Sequence, residues 1–195
     1  MKKLFICCLA LFAQMCAEKR VSGPTSFKNQ TFTDPLTITG SLSADGLKVP
    51  KLKVYGSATL TNSEIGSLTV QGPLTAQSTT FTERVEVQGN IQAKNCTFQR
   101  NLIAKGYKLQ VVLEDTTVED LTLELTKTGV TETEGGFTFF LSTKKNLPEP
   151  RVVLKGKSTI NGTLMFLGEQ GTIEKDKTAR IMGDIFGTSP TQEKS

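Results

Sequence analysis

The feature that most constrains this chain is a five-residue pattern, apolar, any, apolar, any, glycine, that returns at a nearly fixed period. It reads Leu36-x-Ile38-x-Gly40, Leu52-x-Val54-x-Gly56, Leu68-x-Val70-x-Gly72, Val85-x-Val87-x-Gly89 and Leu102-x-Ala104-x-Gly106. The glycines step by 16, 16, 17 and 17 residues. The pattern recurs at Val152-x-Leu154-x-Gly156 and Ala179-x-Ile181-x-Gly183. Between Gly106 and Gly156, Leu121-x-Leu123-x-Leu125 and Phe137-x-Phe139-x-Leu141 keep the alternation without the glycine. The last step, Gly156 to Gly183, is 27 residues, which calls for an insertion around residues 168–177.

Other columns hold the same register. Leu42, Ala58, Leu74 and Ile91 lie two residues past the first four glycines, and Ala44, Leu60, Ala76 and Ala93 lie four past. Val49, Ile65, Phe81 and Phe98 precede successive repeats, with Phe32 in the same place ahead of the first. Alternation is the two-residue period of a strand with one buried face. A period of 16–17 is too short for a helical pair or a propeller blade. It predicts an all-β parallel β-helix of about nine short coils, stacked at ~4.8 Å into a rod of about 40 Å. The glycines belong at corners where the backbone needs positive φ or a close approach. Composition agrees: 28 threonines against 9 alanines favour strands over helices. The competing architecture, an antiparallel sandwich, explains the strands but not equal spacing with columns in register.

The chain contains no histidine and no tryptophan. That excludes a Ser-His-Asp or Cys-His relay and a His-ligated metal. No phosphate-binding Gly-x-x-x-x-Gly-Lys-Ser/Thr run is present. Paired acids of the glycosidase kind need one shared site, and Asp34, Asp45, Glu64, Glu83 and Glu86 share no column. The expectation is a non-enzyme without a cofactor. Net charge is a mild +4, which gives no concentrated basic footprint for nucleic acid. Between Glu114 and Glu134, seven acids face Lys127 alone, a local charge of −6. Glu119, Asp120 and Glu124 are therefore the candidate acidic face for a partner, the alternatives being a solvated surface and a weak calcium site.

Residues 1–17 have the secretory layout: Lys2 and Lys3, then an apolar run from Leu4 to Phe12, then Ala13 and Ala17. The run is shorter than the ~20 residues that span a bilayer. Cleavage after Ala17 is expected, with lipidation at Cys16 the alternative, and contact with a membrane is at most peripheral. Removal of this segment leaves Cys96 as the one thiol, read as a small apolar filler or strand residue, with an odd-thiol dimer the alternative. The short n-region reads as bacterial, so the sequons at Asn29, Asn95 and Asn161 carry no glycan meaning. Residues 18–35 form a lead-in in which Phe27 and Phe32 cap the first coil. The solenoid runs over 36–187, with irregular acidic coils at 114–150 and a loop at Asn146–Pro150. The tail, 188–195, is expected to be disordered.

The stretch Val85-Glu86-Val87-Gln88-Gly89-Asn90-Ile91-Gln92-Ala93-Lys94-Asn95 resembles the repeat of bactofilins, polymer-forming cytoskeletal proteins of bacteria. Leu68–Ala76 and Ala179–Ile185 are similar, and the likeness covers about residues 36–106 and 152–187. It implies a right-handed β-helix that polymerises end to end without nucleotide. Two features depart from that family: the export-like leader and the middle section, 114–150. The expectation is an exported structural or scaffolding solenoid of the cell envelope, a homo-oligomer or polymer. The alternative is a module that binds an envelope glycan or protein, with a polysaccharide-active enzyme third.

Overall fold

The structure is a computed structural model, and it describes residues 18–126, 149–188 and 192–193. The leader, the Phe137–Leu141 run and most of the tail lie outside the described residues. All described elements are strands, and all named pairings are parallel. They form two long sheets, one of 14 and one of nine strands. The fold is a parallel β-solenoid of about nine turns, as the periodicity predicts.

Each coil has three faces. The first carries strands such as Leu36–Thr39, Val85–Val87, Leu102–Gly106 and Leu121–Leu125. The second carries Leu42–Asp45, Ala58–Thr61, Leu74–Gln77, Ile91–Lys94, Gln110–Glu114 and Arg151–Lys155, among others. The third is short, as in Thr80–Phe81, Thr97–Phe98 and Thr117–Val118. Strands Lys48–Tyr55 and Glu64–Val70 run from the third face round its corner into the first.

The apolar columns of the sequence are the interior ladders. Leu42, Ala58, Leu74 and Ile91 are Cα partners in succession, as are Ala44, Leu60, Ala76 and Ala93. In the first three of these coils one leucine meets one alanine, so each layer fills the narrow interior to a similar volume. On the third face Val49, Ile65, Phe81 and Phe98 stack in register, with the two rings parallel at 4.6 Å. The hydrophobic cluster runs without a break from Leu36 to Ala179.

Three corners join the faces. The first is the glycine slot, where Gly23, Gly40, Gly56, Gly72, Gly89, Gly106, Leu125 and Gly168 continue the paired registers. At Gly40, φ is +137°, and a Cβ would lie 2.6 Å from the Gly23 carbonyl oxygen, so no larger residue fits. Gly156 and Gly183 are corners too, but of other columns. Val152 and Leu154 pair with Val111 and Leu113 on the second face, which puts Gly156 at the second corner beside Asp115. Ile181 pairs with Ile160 on the third face, which puts Gly183 over Gly162 at the third corner. The five-residue pattern is common to strands on all three faces, so it marks a corner without saying which one.

The irregular middle section follows from this allotment. Leu125 takes the glycine slot, paired with Gly106, as the alternation predicts. Leu141, the next slot residue expected, lies outside the described residues. The second-face strand of the same coil resumes at Arg151, paired with Gln110. Leu121–Leu125 and Arg151–Lys155 are therefore the first-face and second-face strands of one coil.

Candidate functional site

The second corner explains polar residues that the sequence pattern leaves unassigned. Asn29, Gly46, Asn62, Ser78, Asn95, Asp115 and Gly156 follow one another there, with φ between +47° and +69°. Left-handed backbone suits glycine first, then Asn and Asp, whose short polar side chains bond locally. Two of the three sequon asparagines, Asn29 and Asn95, are thus corner residues.

Just past this corner the chain turns a polar side chain inward. Ser63, Thr79, Thr116 and Ser158 are the buried hydroxyls of this column, and Cys96 stands among them. Ser63 Oγ donates to the Thr61 carbonyl at 2.7 Å and accepts the Leu47 N–H at 3.1 Å. Thr116 Oγ1 donates to the Glu114 carbonyl at 2.8 Å and accepts the Cys96 N–H at 3.2 Å. Ser158 Oγ accepts the Thr116 N–H at 3.3 Å. These hydroxyls satisfy buried N–H groups that the bend takes out of the ladder. Cys96 Sγ points to the Lys94 carbonyl at 3.2 Å, and burial pushes its thiol pKa up. Such a thiol is a packed filler, not a nucleophile.

The acidic candidates do not converge. Glu119 and Asp120 sit at the third corner, while Glu124 lies at the far end of strand Leu121–Leu125, about 13 Å along the first face. Each carboxylate has an intrachain partner. Glu119 Oε2 accepts from Asn161 Nδ2 at 3.2 Å. Asp120 Oδ1 accepts the Thr163 N–H at 2.8 Å, which ties the Asn161-Gly162 corner to the coil below. Glu124 pairs with Lys105 at 3.3 Å, and Lys105 also pairs with Glu86 at 3.0 Å. The bonded Lys105 ammonium and then the Arg84 guanidinium hold the Glu86 carboxyl below the usual carboxylate range, against partial burial. The two carboxylates in turn raise the Lys105 pKa, Glu86 the more strongly. Among the described residues, no three His, Cys, Asp or Glu side chains gather as a metal site.

An open cleft of about 250 Å³ lies over the third corner of the early coils, lined by Phe32, Pro50, Gly66 and Thr82. It carries the Lys48–Glu64 pair at 3.1 Å.

The ends of the rod differ from its sides. Among the described residues, Lys19–Ser22 pairs only with Leu36–Thr39, and Thr25–Lys28 only with Leu42–Asp45. At the other end Arg180–Ile181 and Ile185–Phe186 each have one neighbour. Each such strand thus has one row of backbone N–H and C=O groups with no ladder partner among the described residues. Phe27 and Phe32 close the first end edge to face, their centroids 5.3 Å apart, with Lys19 Nζ 4.8 Å above the Phe32 ring. The chain matches no protein-family model, and no curated protein or solved structure is significantly similar to it.

Proposed function

We propose that this protein is an exported, non-enzymatic structural scaffold of the bacterial cell envelope, bactofilin-like in its repeat, that self-associates through its terminal coils. The observation that carries the reading is the open edge of the terminal strands. Each coil holds the next by parallel backbone hydrogen bonds, and among the described residues the outermost strands have a ladder neighbour on one side only. A second copy adds there by the bonding that builds the rod. Export rests on the leader at residues 1–17. The non-enzymatic reading rests on the missing histidine and on carboxylates engaged in holding coils together.

The test is expression with the native leader, followed by fractionation, light scattering and electron microscopy of the processed protein. Recovery outside the cytoplasm as an assembly of two or more chains is expected. Retention in the cytoplasm overturns export, and a single-chain mass at high concentration overturns self-association. Cleavage of a polyuronide that is lost on Glu119→Gln or Glu124→Gln overturns the non-enzymatic reading.

A further inference from the structure

The two ends of the rod are chemically unlike. Among the described residues, five large apolar side chains are exposed, and four of them lie in the last two first-face coils and the corner beside them: Leu167 at 42%, Met182 at 66%, Ile185 at 38% and Phe186 at 51%. Phe186 is on the outer side of the first face, beside Met165 and one coil beyond Leu167, while Ile185 ends the interior ladder that starts at Leu36. The last strand, Gln192–Glu193, pairs with Thr172–Lys175 and covers the second face. Among the described residues, no further strand covers the first and third faces at that end.

At the opposite end the interior position in line with Leu36 is Lys19. Its ammonium lies over Phe32. An inward-pointing charge is a device that blunts a sheet edge, because a further coil would strip it of water. No large exposed apolar residue is found in the first coil.

We infer that the partner of this protein is a second copy of itself, docked C-terminal end to C-terminal end to give a closed two-chain rod and no filament. This rests on the self-association proposed above and specifies which end carries it. A patch present on one end alone is satisfied by an isologous contact, in which each subunit offers the same surface. The charges fit such a contact. Arg180 and Asp184 are both exposed, have opposite sign and flank Met182. A two-fold axis near Met182 places Arg180 of one copy against Asp184 of the other, twice. With the adhesive patch consumed, the outer ends carry only the edge blunted by Lys19.

The experiment is light scattering over a concentration series on four proteins. These are the wild type, Met182→Asp/Phe186→Asp, Arg180→Glu, and Arg180→Glu/Asp184→Arg, each with its melting temperature measured. A fifth, Arg20→Pro, blocks the N-terminal edge, where proline is tolerated because that strand is outermost. The expected wild-type mass is two chains and no more. Met182→Asp/Phe186→Asp is expected as one chain with an unchanged melting temperature. Arg180→Glu should weaken the dimer at least tenfold, the charge swap should restore it, and Arg20→Pro should leave it intact. A wild type that grows beyond two chains overturns the closed dimer and leaves self-association standing. A wild type of one chain overturns self-association itself. Loss of the dimer in Arg20→Pro, or its persistence in Met182→Asp/Phe186→Asp, overturns the assignment to the C-terminal end.

Discussion

Thr116→Val tests whether the buried hydroxyls of the second corner hold the coils or merely fill space. Thr116 is fully buried, and valine matches its shape, so the change leaves no cavity. What it removes is one acceptor and one donor. The Glu114 carbonyl loses the Thr116 hydroxyl but keeps the Asn95 N–H at 2.9 Å. The Cys96 N–H, bonded to Thr116 Oγ1 at 3.2 Å, is left without a partner in a dry interior. One orphaned buried donor costs about 1–3 kcal/mol. If apolar bulk were all the site asks for, valine would be neutral or stabilising, since it hides more apolar surface. Leu47 supports the polar account: it shares the column, but Gln30 beneath it is exposed and needs no acceptor. Urea unfolding of both proteins gives the difference, with an unchanged slope showing that both lose the same structure. A Thr116→Val midpoint equal to or above that of the wild type would refute the reasoning. So would a Cys96 amide that exchanges no faster in the variant.

Three further outcomes follow from the corners and the charge ladder. Gly40→Ala should lower the stability of the folded chain by more than about 1 kcal/mol in thermal melts, because the new Cβ strikes the Gly23 carbonyl at 2.6 Å. Gly23→Ala is the control with nothing within 4 Å, and it should cost less. Asn95→Gly should be neutral or stabilising, whereas Asn95→Val should cost about 1–2 kcal/mol, as φ at this corner is +52°; equal melting temperatures would show that the left-handed corner is not the reason for asparagine. Glu86 has a lowered folded pKa, so its contribution is present above the ordinary carboxylate value and is lost as pH falls through the lowered one. Glu86→Gln should therefore flatten the acid limb of the stability curve, by less than about 1 kcal/mol for a partly exposed pair, and an unchanged limb would contradict the Lys105 bridge.

The sequence discloses what is periodic and apolar, because a buried face cannot hide its period. Leu42, Ala58 and Leu74, or Ile65, Phe81 and Phe98, are legible as columns for that reason, and so is Leu125 standing in a glycine slot. Two things were less legible. The pattern around Gly156 and Gly183 looks like that around Gly40, yet those glycines serve the second and third corners, since every strand of a coil alternates alike. The left-handed column escaped because its occupants share a backbone conformation and not a residue type: Asn, Gly, Ser and Asp all satisfy it. Its signal in the sequence is a small polar residue or glycine just before an inward Ser, Thr or Cys, as in Asn62-Ser63, Ser78-Thr79 and Asn95-Cys96. The acidic stretch had the opposite fault. Glu119, Asp120 and Glu124 are close in sequence, and proximity suggested a face. A strand of five residues carries Glu124 across the sheet, where the nearest cation is one coil away and not along the chain.

Stacking coils in parallel places equivalent positions side by side, so a column of one charge would repel along the whole rod. This chain alternates sign instead. Lys48 meets Glu64, Lys94 meets Glu114, and Lys105 stands between Glu86 and Glu124. A slip by one coil sets Lys94 beside Thr61 or Lys155 in place of Glu114, so the charges help to choose the register that the apolar ladders alone would accept in several versions. The same alternation pairs part of the charge of the sides. On the first face, the outer column changes from Arg20, Thr37, Lys53, Thr69 and Glu86 to Ile103, Thr122, Met165 and Phe186 as it nears the C-terminal end. Tyr55, the one large exposed apolar residue away from that end among the described residues, lies under the Lys53 ammonium at 4.8 Å. Apolar surface is thus concentrated where the ladder has no further coil to bury it. Among the described residues, that last coil therefore carries most of the large exposed apolar side chains, and the proposed association draws on them.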